Sequence, residues 1–212
     1  MRRWLLSMLP LAAFVLGWAG IAPSSADAAG VAGKVTRLAG TGQVSRGGTA
    51  AGLKVGDEVE VGNVVSTAVE SRLELTMIDG ATITLGERAE LEIEDYLFDG
   101  QGKGNGVLNL LKGALQAVSG QLTQMSGKPF KVSGPVATIG IRGTTFFAGE
   151  IDNTFGVFLI EGTGVYVENT GGGVELIRPG FGTTVPGAGQ ASEEPRQWAP
   201  DKVARSLDLT SF

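Results

Sequence analysis

The feature that most narrows what this chain can become is a long succession of short alternating runs, each cut off by glycine. In the stretch RLELTMIDGATITLG the apolar positions Leu73, Leu75 and Met77 fall two apart, as do Ile83 and Leu85, with Asp79-Gly80 between the runs. A spacing of two places one set of side chains on one face of a pleated strand, and Asp-Gly between two such runs is a tight-turn signal. The pattern recurs from about residue 30 to 190 in VEVGNVVST, ELEIEDYLF, GVLNLL, LQAVSG, FKVSG, TFGVFLIEG and GVYVEN, with further turn signals at Gly47-Gly48 and Thr170-Gly171. Strands at this spacing, with turn chemistry between them, predict an all-β domain. The chain holds 34 glycines in 212 residues without a three-residue period, which excludes collagen and implies many sharp corners. A β-solenoid-like body or a tightly coiled sandwich meets that requirement.

Two segments need separate treatment. NLLKGALQAVS (109–119) has a spacing compatible with one helix or with two strands around Gly113, and glycine in mid-run favours strands. DGQGKGNG (99–106) reads as a flexible loop. After Pro186 the alternation fades; in the tail 191–212, Pro200-Asp201 followed by KVARSL predicts one short helix docking Trp198 or Leu207 onto the body.

The amino terminus carries Met1-Arg2-Arg3, an apolar run and an Ala26-Asp27-Ala28 site. These are the three parts of a secretory signal peptide, here residues 1–28, and they predict a periplasmic or secreted bacterial protein. Pro10 interrupts the apolar run, which favours cleavage over anchoring.

Several chemistries are excluded by residues the chain lacks. It contains no histidine and no cysteine, so imidazole bases, Ser-His-Asp triads, thiolate nucleophiles and disulfides are out of reach. A net charge of −5 without a basic run gives no attraction to phosphate backbones, so nucleic acid is not an expected partner. The glycine-rich pieces GTGQVS, GKGNG and SGKPF lack the spacing and the strand–turn–helix setting of phosphate loops, and no cofactor is expected.

Carboxylates remain the only catalytic candidates. Glu90, Glu92 and Glu94 alternate onto one face, with successive members about 6–7 Å apart at about 3.3 Å per residue. That is also the spacing of an ordinary solvated strand face. No catalytic or metal-binding set is assigned, and the chain is not expected to be an enzyme.

In TIGIRGTTFF (138–147), Arg142 interrupts an otherwise apolar run. Alternation places Gly140, Arg142 and Thr144 on one face and Ile139, Ile141 and Gly143 on the other. A guanidinium buried there needs a carboxylate or free backbone carbonyls, and Glu161 in LIEG is the preferred partner. Arg142, Gly143, Thr144, Phe146, Glu161 and Gly162 together form a candidate structural or contact corner, and Gly56, Asp57, Asp79 and Gly80 are candidate turn residues.

Taken in order, GKVTRLAGTGQVSRGG, LKVGDEVEVGNVVSTAVESRLELTMIDGATITLG and IRGTTFFAGEIDNTFGVFLIEGTGVYV resemble a FecR domain over about residues 30–190. The resemblance rests on Gly56-Asp57, Thr67, Asp79-Gly80 with Leu85, Arg142-Gly143-Thr144 with Phe146, and Glu161-Gly162 with Val165. It implies a periplasmic, β-rich, solenoid-like domain that relays the state of an iron transporter to a sigma factor in its best-known members. In that layout a cytoplasmic segment precedes the apolar span. Here three residues do, so the expected role is a binding or sensing module with an envelope protein as partner. Two alternatives are a cell-wall glycan-binding protein, for which Tyr96 and Tyr166 are the candidate platforms, and an anti-sigma type iron-uptake regulator.

Overall fold

The computed structural model describes residues 30–127 and 129–212; the expected signal peptide lies outside them. The first third of the chain supplies β1 (Val31–Ala39), β2 (Gly42–Arg46), β3 (Thr49–Gly52), β4 (Glu58–Glu60), β5 (Val64–Thr67), β6 (Arg72–Met77) and β7 (Thr82–Leu85). The middle supplies β8 (Glu90–Phe98), β9 (Gly104–Lys112), β10 (Ala114–Val118), a single 3-10 turn at Gln121–Gln124, β11 (Phe130–Ser133) and β12 (Thr138–Ile141). The last part supplies β13 (Thr144–Ile151), β14 (Thr154–Gly162), β15 (Val165–Asn169), β16 (Gly172–Leu176), β17 (Phe181–Val185), β18 (Arg196–Gln197) and the helix α1 (Pro200–Asp208).

These strands form two nine-stranded sheets. Sheet A runs β18-β17-β14-β13-β10-β7-β6-β1-β4, and sheet B runs β16-β15-β12-β11-β9-β8-β5-β2-β3. Away from the β1–β4 and β2–β3 ends, strand order follows chain order: the chain lays one or two strands in one sheet, crosses, and lays the next in the other. All the pairings are antiparallel except β9 with β11. The fold is all-β and sandwich-like.

The alternation read from sequence becomes the two-faced burial of the strands. Leu73, Leu75, Ile83 and Leu85 of sheet A face Leu91, Ile93, Leu108 and Leu110 of sheet B, all buried. Removing that apolar surface from water, at roughly 25 cal/mol per Å², is the main force holding the sheets together. The glutamates of β8 point outward: Glu90 pairs with Lys112 at 2.6 Å, and the Asn109 side-chain amide donates to Glu92 at 3.0 Å and Glu94 at 2.8 Å. They form a surface row in which Glu90 is paired with a cation and Glu92 and Glu94 share one amide donor.

Local differences have local causes. NLLKGALQAVS is indeed two strands, because Gly113 turns the chain at φ 81° where a Cβ would collide with Ala89. VEVGNVVST is split between the sheets: Gly62 (φ 84°) and Asn63 end β4 and start β5. In DGQGKGNG, the Asp99 carboxylate accepts the backbone N–H groups of Gln101 (2.7 Å) and Lys103 (2.9 Å), closing a tight turn, and residues from Gly104 belong to β9. Those N–H groups also hold the Asp99 carboxyl below its usual range.

A second, smaller core lies on the outer face of sheet A. Phe147, Ile151 and Phe158 point away from the main core and pack with Trp198 of the tail. The tail helix is the predicted one; Trp198 makes the docking contact, together with the partly buried Val203 and Leu209, rather than Leu207. Among the described residues, no helix is long and apolar enough to cross a membrane.

Candidate functional site

The Arg142 segment is a crossing between sheets. β12 ends at Ile141 in sheet B and β13 begins at Thr144 in sheet A. Gly143, at φ 81°, makes the turn, so the two-residue alternation stops there. Ile139 and Ile141 are buried as the spacing predicts, and Thr144 is buried too, while Arg142 swings out to solvent. Gly140, Arg142 and Thr144 therefore share no face.

The expected Arg142–Glu161 pair is not formed. Arg142 Nη2 lies 3.1 Å from Glu175 Oε1, and both side chains are 48% exposed. β15 pairs with both β12 and β16, which carries Glu175 to the same end of sheet B as Arg142. Glu161 sits opposite Thr145 at the end of β14, in the other sheet.

Directly beside this crossing the chain returns. β14 ends at Gly162 in sheet A and β15 starts at Val165 in sheet B. The two crossings are joined by backbone bonds: Thr163 N–H donates to Gly143 O at 3.1 Å, and Arg142 N–H donates to Gly164 O at 3.2 Å. Gly162 has φ 106°, and any Cβ there would press on the Gly143 carbonyl and on Thr144. Ser119 ties the loop after β10 to the same point: its hydroxyl donates to Thr144 O and accepts Thr144 N–H, each at 2.8 Å. Phe146, 0% exposed, anchors the start of β13 in the main core.

Between these elements lies a cavity of about 320 Å³, lined by Ser119, Thr123, Gln124, Thr144, Thr145 and Glu161, among others. Its groups are hydroxyls, an amide and a carboxylate. Thr144 Oγ1 is buried with no hydrogen-bond partner among the described residues. Such a wall can hydrogen-bond a partner, but it brings no nucleophile to a base.

The larger hollow, about 720 Å³, lies elsewhere, around Arg88, Lys112, Glu150 and Asp152. Three non-glycine residues with left-handed backbone rim it: Arg88 (φ 51°), Asp152 (φ 54°) and Asn153 (φ 58°). Asp152-Asn153 form the two-residue hairpin turn between β13 and β14, which accounts for their conformation. Its charges are largely satisfied internally, Lys112 by Glu90 and Asp152 by Arg205. The polar corner is the better candidate for contact.

The turn residues divide in an unexpected way. Gly56 (φ 97°) and Asp57 close an ordinary surface turn, Asp57 Oδ2 accepting Lys54 N–H at 2.8 Å. Gly80 turns the chain at φ 83° after β6. Asp79, however, is only 1% exposed. Its Oδ1 accepts Ala81 N–H at 3.0 Å and the Tyr96 hydroxyl at 2.8 Å, and its Oδ2 accepts Leu122 N–H at 3.1 Å. Its backbone carbonyl accepts Gln121 N–H at 3.0 Å.

This carboxylate joins the β6–β7 turn, β8 and the 3-10 turn whose Thr123 and Gln124 line the polar cavity. Burial first, and the Asp79 charge second, push the Tyr96 hydroxyl far above its usual titration range. Spacing alone shows nothing of this hub, because its members are 17 and 43 residues apart.

Tyr96 is thus inside the protein, against Phe130, rather than on the surface as the glycan reading needs. Tyr166 stays partly exposed and lies over Gly173, where a Cβ would collide with its ring. Among the described residues no cluster of three or more acidic groups is placed to hold a metal ion.

Comparison with known proteins bears on the fold. The model of the family described as FecR protein matches residues 63–163, a span that holds the Asp79 hub and the Arg142-Gly143 crossing and ends within the second crossing. Two crystal structures of a candidate anti-sigma factor from Parabacteroides distasonis share the fold, each with a TM-score of 0.54 at 18% identity. The matches cover 68% of this chain and 64% and 63% of the other, so the chain spans under two-thirds of that protein's length. No curated protein matches the chain in sequence.

Proposed function

We propose, from the premise that residues 63–163 are a FecR-type segment, that this chain is a non-catalytic regulatory module acting through protein contact in the bacterial envelope. The paired crossings at Arg142-Gly143 and Gly162–Gly164 are its contact surface. One observation carries the reading: two backbone-zipped crossings hold Glu161 beside a polar cavity in which Thr144 Oγ1 is buried with no hydrogen-bond partner among the described residues, while Ser119 and Thr123 are tied to backbone carbonyls. A rigid corner loses little conformational entropy on binding. The amino-terminal pattern of basic start, apolar run and small-residue site supports export, and the fold shared with a candidate anti-sigma factor supports a signalling role.

Site-specific photocrosslinking tests it. A benzophenone side chain placed at Arg142 or Glu161 is expected to capture a defined envelope protein. The same group at Thr49, on the far edge strand of sheet B, is not. Equal capture at all three positions, or none at the corner in a chain with an unchanged circular dichroism spectrum, overturns the proposal.

A further inference from the structure

The outer face of sheet A is covered by the chain's own carboxyl-terminal segment, and the cover is built unevenly. At one end it is specific. Arg196 and Gln197 add a two-residue strand to the edge of β17, opposite Gly182 and Phe181, and Trp198 then enters a slot. Its indole stacks on Phe158 at 4.9 Å and 16° and meets Phe147 edge-on at 6.5 Å. The slot exists because Gly156 and Gly182 lack side chains: a Cβ on Gly156 would stand 2.9 Å from the indole Cη2, and one on Gly182 would collide with the ring.

Beyond Trp198 the apolar cover thins to the partly buried Val203 and Leu209, and the other contacts are polar. Lys202 Nζ lies 4.3 Å from the indole centroid, and within α1 only Ser206 is buried. Arg205 holds Asp152 at 3.0 Å, with both side chains 48% exposed. The rest of the path is Arg72 Nη2 donating to Asp208 O (3.1 Å), Thr210 donating to Gln116 (3.4 Å) and Arg37 over Phe212 (3.9 Å).

Exposed ion pairs are weak, and a nine-residue helix is marginal alone. Opening this segment therefore requires far less than parting the two sheets. What opening leaves behind is a free β17 edge, an aromatic floor with two glycines, and Asp152 beyond it. That is a surface for an extended segment that adds a strand, inserts an aromatic ring and continues as a short helix with an arginine placed for Asp152.

We infer that the outer face of sheet A is a peptide-binding surface carrying its own occupant: Arg196–Phe212 is an intramolecular ligand that a partner segment of the same chemistry displaces. This does not depend on the role of the corner, which lies at the crossings between the sheets.

The probe is a fluorescein-labelled peptide of residues 195–212. The full chain carrying Trp198→Ala is expected to bind it at least about tenfold more tightly than the unaltered chain, and a peptide with the same substitution is expected not to bind. Equal binding by both chains, or none by a folded Trp198→Ala chain, overturns the inference. Hydrogen exchange on the unaltered chain decides the matter even if the variant does not fold. The amides of Val203 and Leu209 in and after α1 are expected to exchange at least about 100-fold faster than those in the middle of β13 and β14. Exchange at the same rate as those strands overturns it.

Discussion

Asp79-Gly80 and Arg142-Gly143 look alike in the sequence: a charged residue, then a glycine that turns the chain at positive φ. In the fold they are opposites. Asp79 is sealed inside, and its carboxylate accepts three polar hydrogens with no cation beside it among the described residues. Arg142 stands half in water against Glu175. The difference lies in what packs over each turn. The loop carrying the 3-10 turn folds down on Asp79, with Gly120 so close that a Cβ there would strike the carboxylate. Over Arg142 there is only the edge of sheet B. A charge at a turn gains structural weight from the segment that closes on it, and very little from its own sign.

The contrast can be broken most directly at its buried end. Asp79→Ala removes the acceptor for Tyr96 OH, Ala81 N–H and Leu122 N–H at once, and is expected to destabilise the protein by about 3–5 kcal/mol, since buried donors left unpaired carry their full desolvation cost. Thermal unfolding should then fall by about 10 °C; a fall under about 2 °C would show that the hub is replaceable by water.

Tyr96→Phe is a smaller cut, expected at about 1–2 kcal/mol, because Asp79 keeps its two backbone donors. It also carries a pH signature. The folded Tyr96 titrates above its unfolded value of 10.0, so its contribution is complete below that value and is lost as pH rises beyond it. The unaltered chain should lose stability above about pH 10 more steeply than Tyr96→Phe. Parallel alkaline profiles would contradict the burial of that hydroxyl.

At the exposed end, Arg142→Ala is expected to change stability by less than about 1 kcal/mol, and a double-mutant cycle with Glu175→Ala should give a coupling of about 0.2–1 kcal/mol that shrinks in high salt. A loss as large as that of Asp79→Ala would erase the distinction between the two turns. The smallest effect belongs to the tail. The side-chain bond from Arg205 holds the Asp201 carboxyl below its usual range, so its contribution is present above the unfolded value of 3.8 and fades as pH falls through the lower folded one. Acidification should loosen α1, read by exchange of the Val203 amide, before it affects the sheets.

Much of the fold was legible in advance. The apolar faces of β6 and β8, the strand pair around Gly113, the turn at Asp79-Gly80 and the helix after Pro200 all follow from spacing and turn chemistry acting over a few residues. The FecR resemblance is matched over residues 63–163. The partner of Arg142 was not legible. Glu161 is nearer in sequence than Glu175, and only the order β12-β15-β16 in sheet B makes Glu175 the neighbour. Tyr96 was misplaced for a related reason. The strand bulges between Ile93 and Asp95, so simple alternation from Glu90, Glu92 and Glu94 puts position 96 on the solvent side.

Local spacing was enough to specify strands, corners and which face of most strands is apolar, because pleat and turn preferences act between residues that are neighbours in the chain. Which sheet each strand joins, what covers Asp79, where Arg142 finds its counter-ion and why two glycines admit Trp198 were decided only when distant segments met. Those contacts depend on burial and on strand order, and neither is a property of any short stretch of residues.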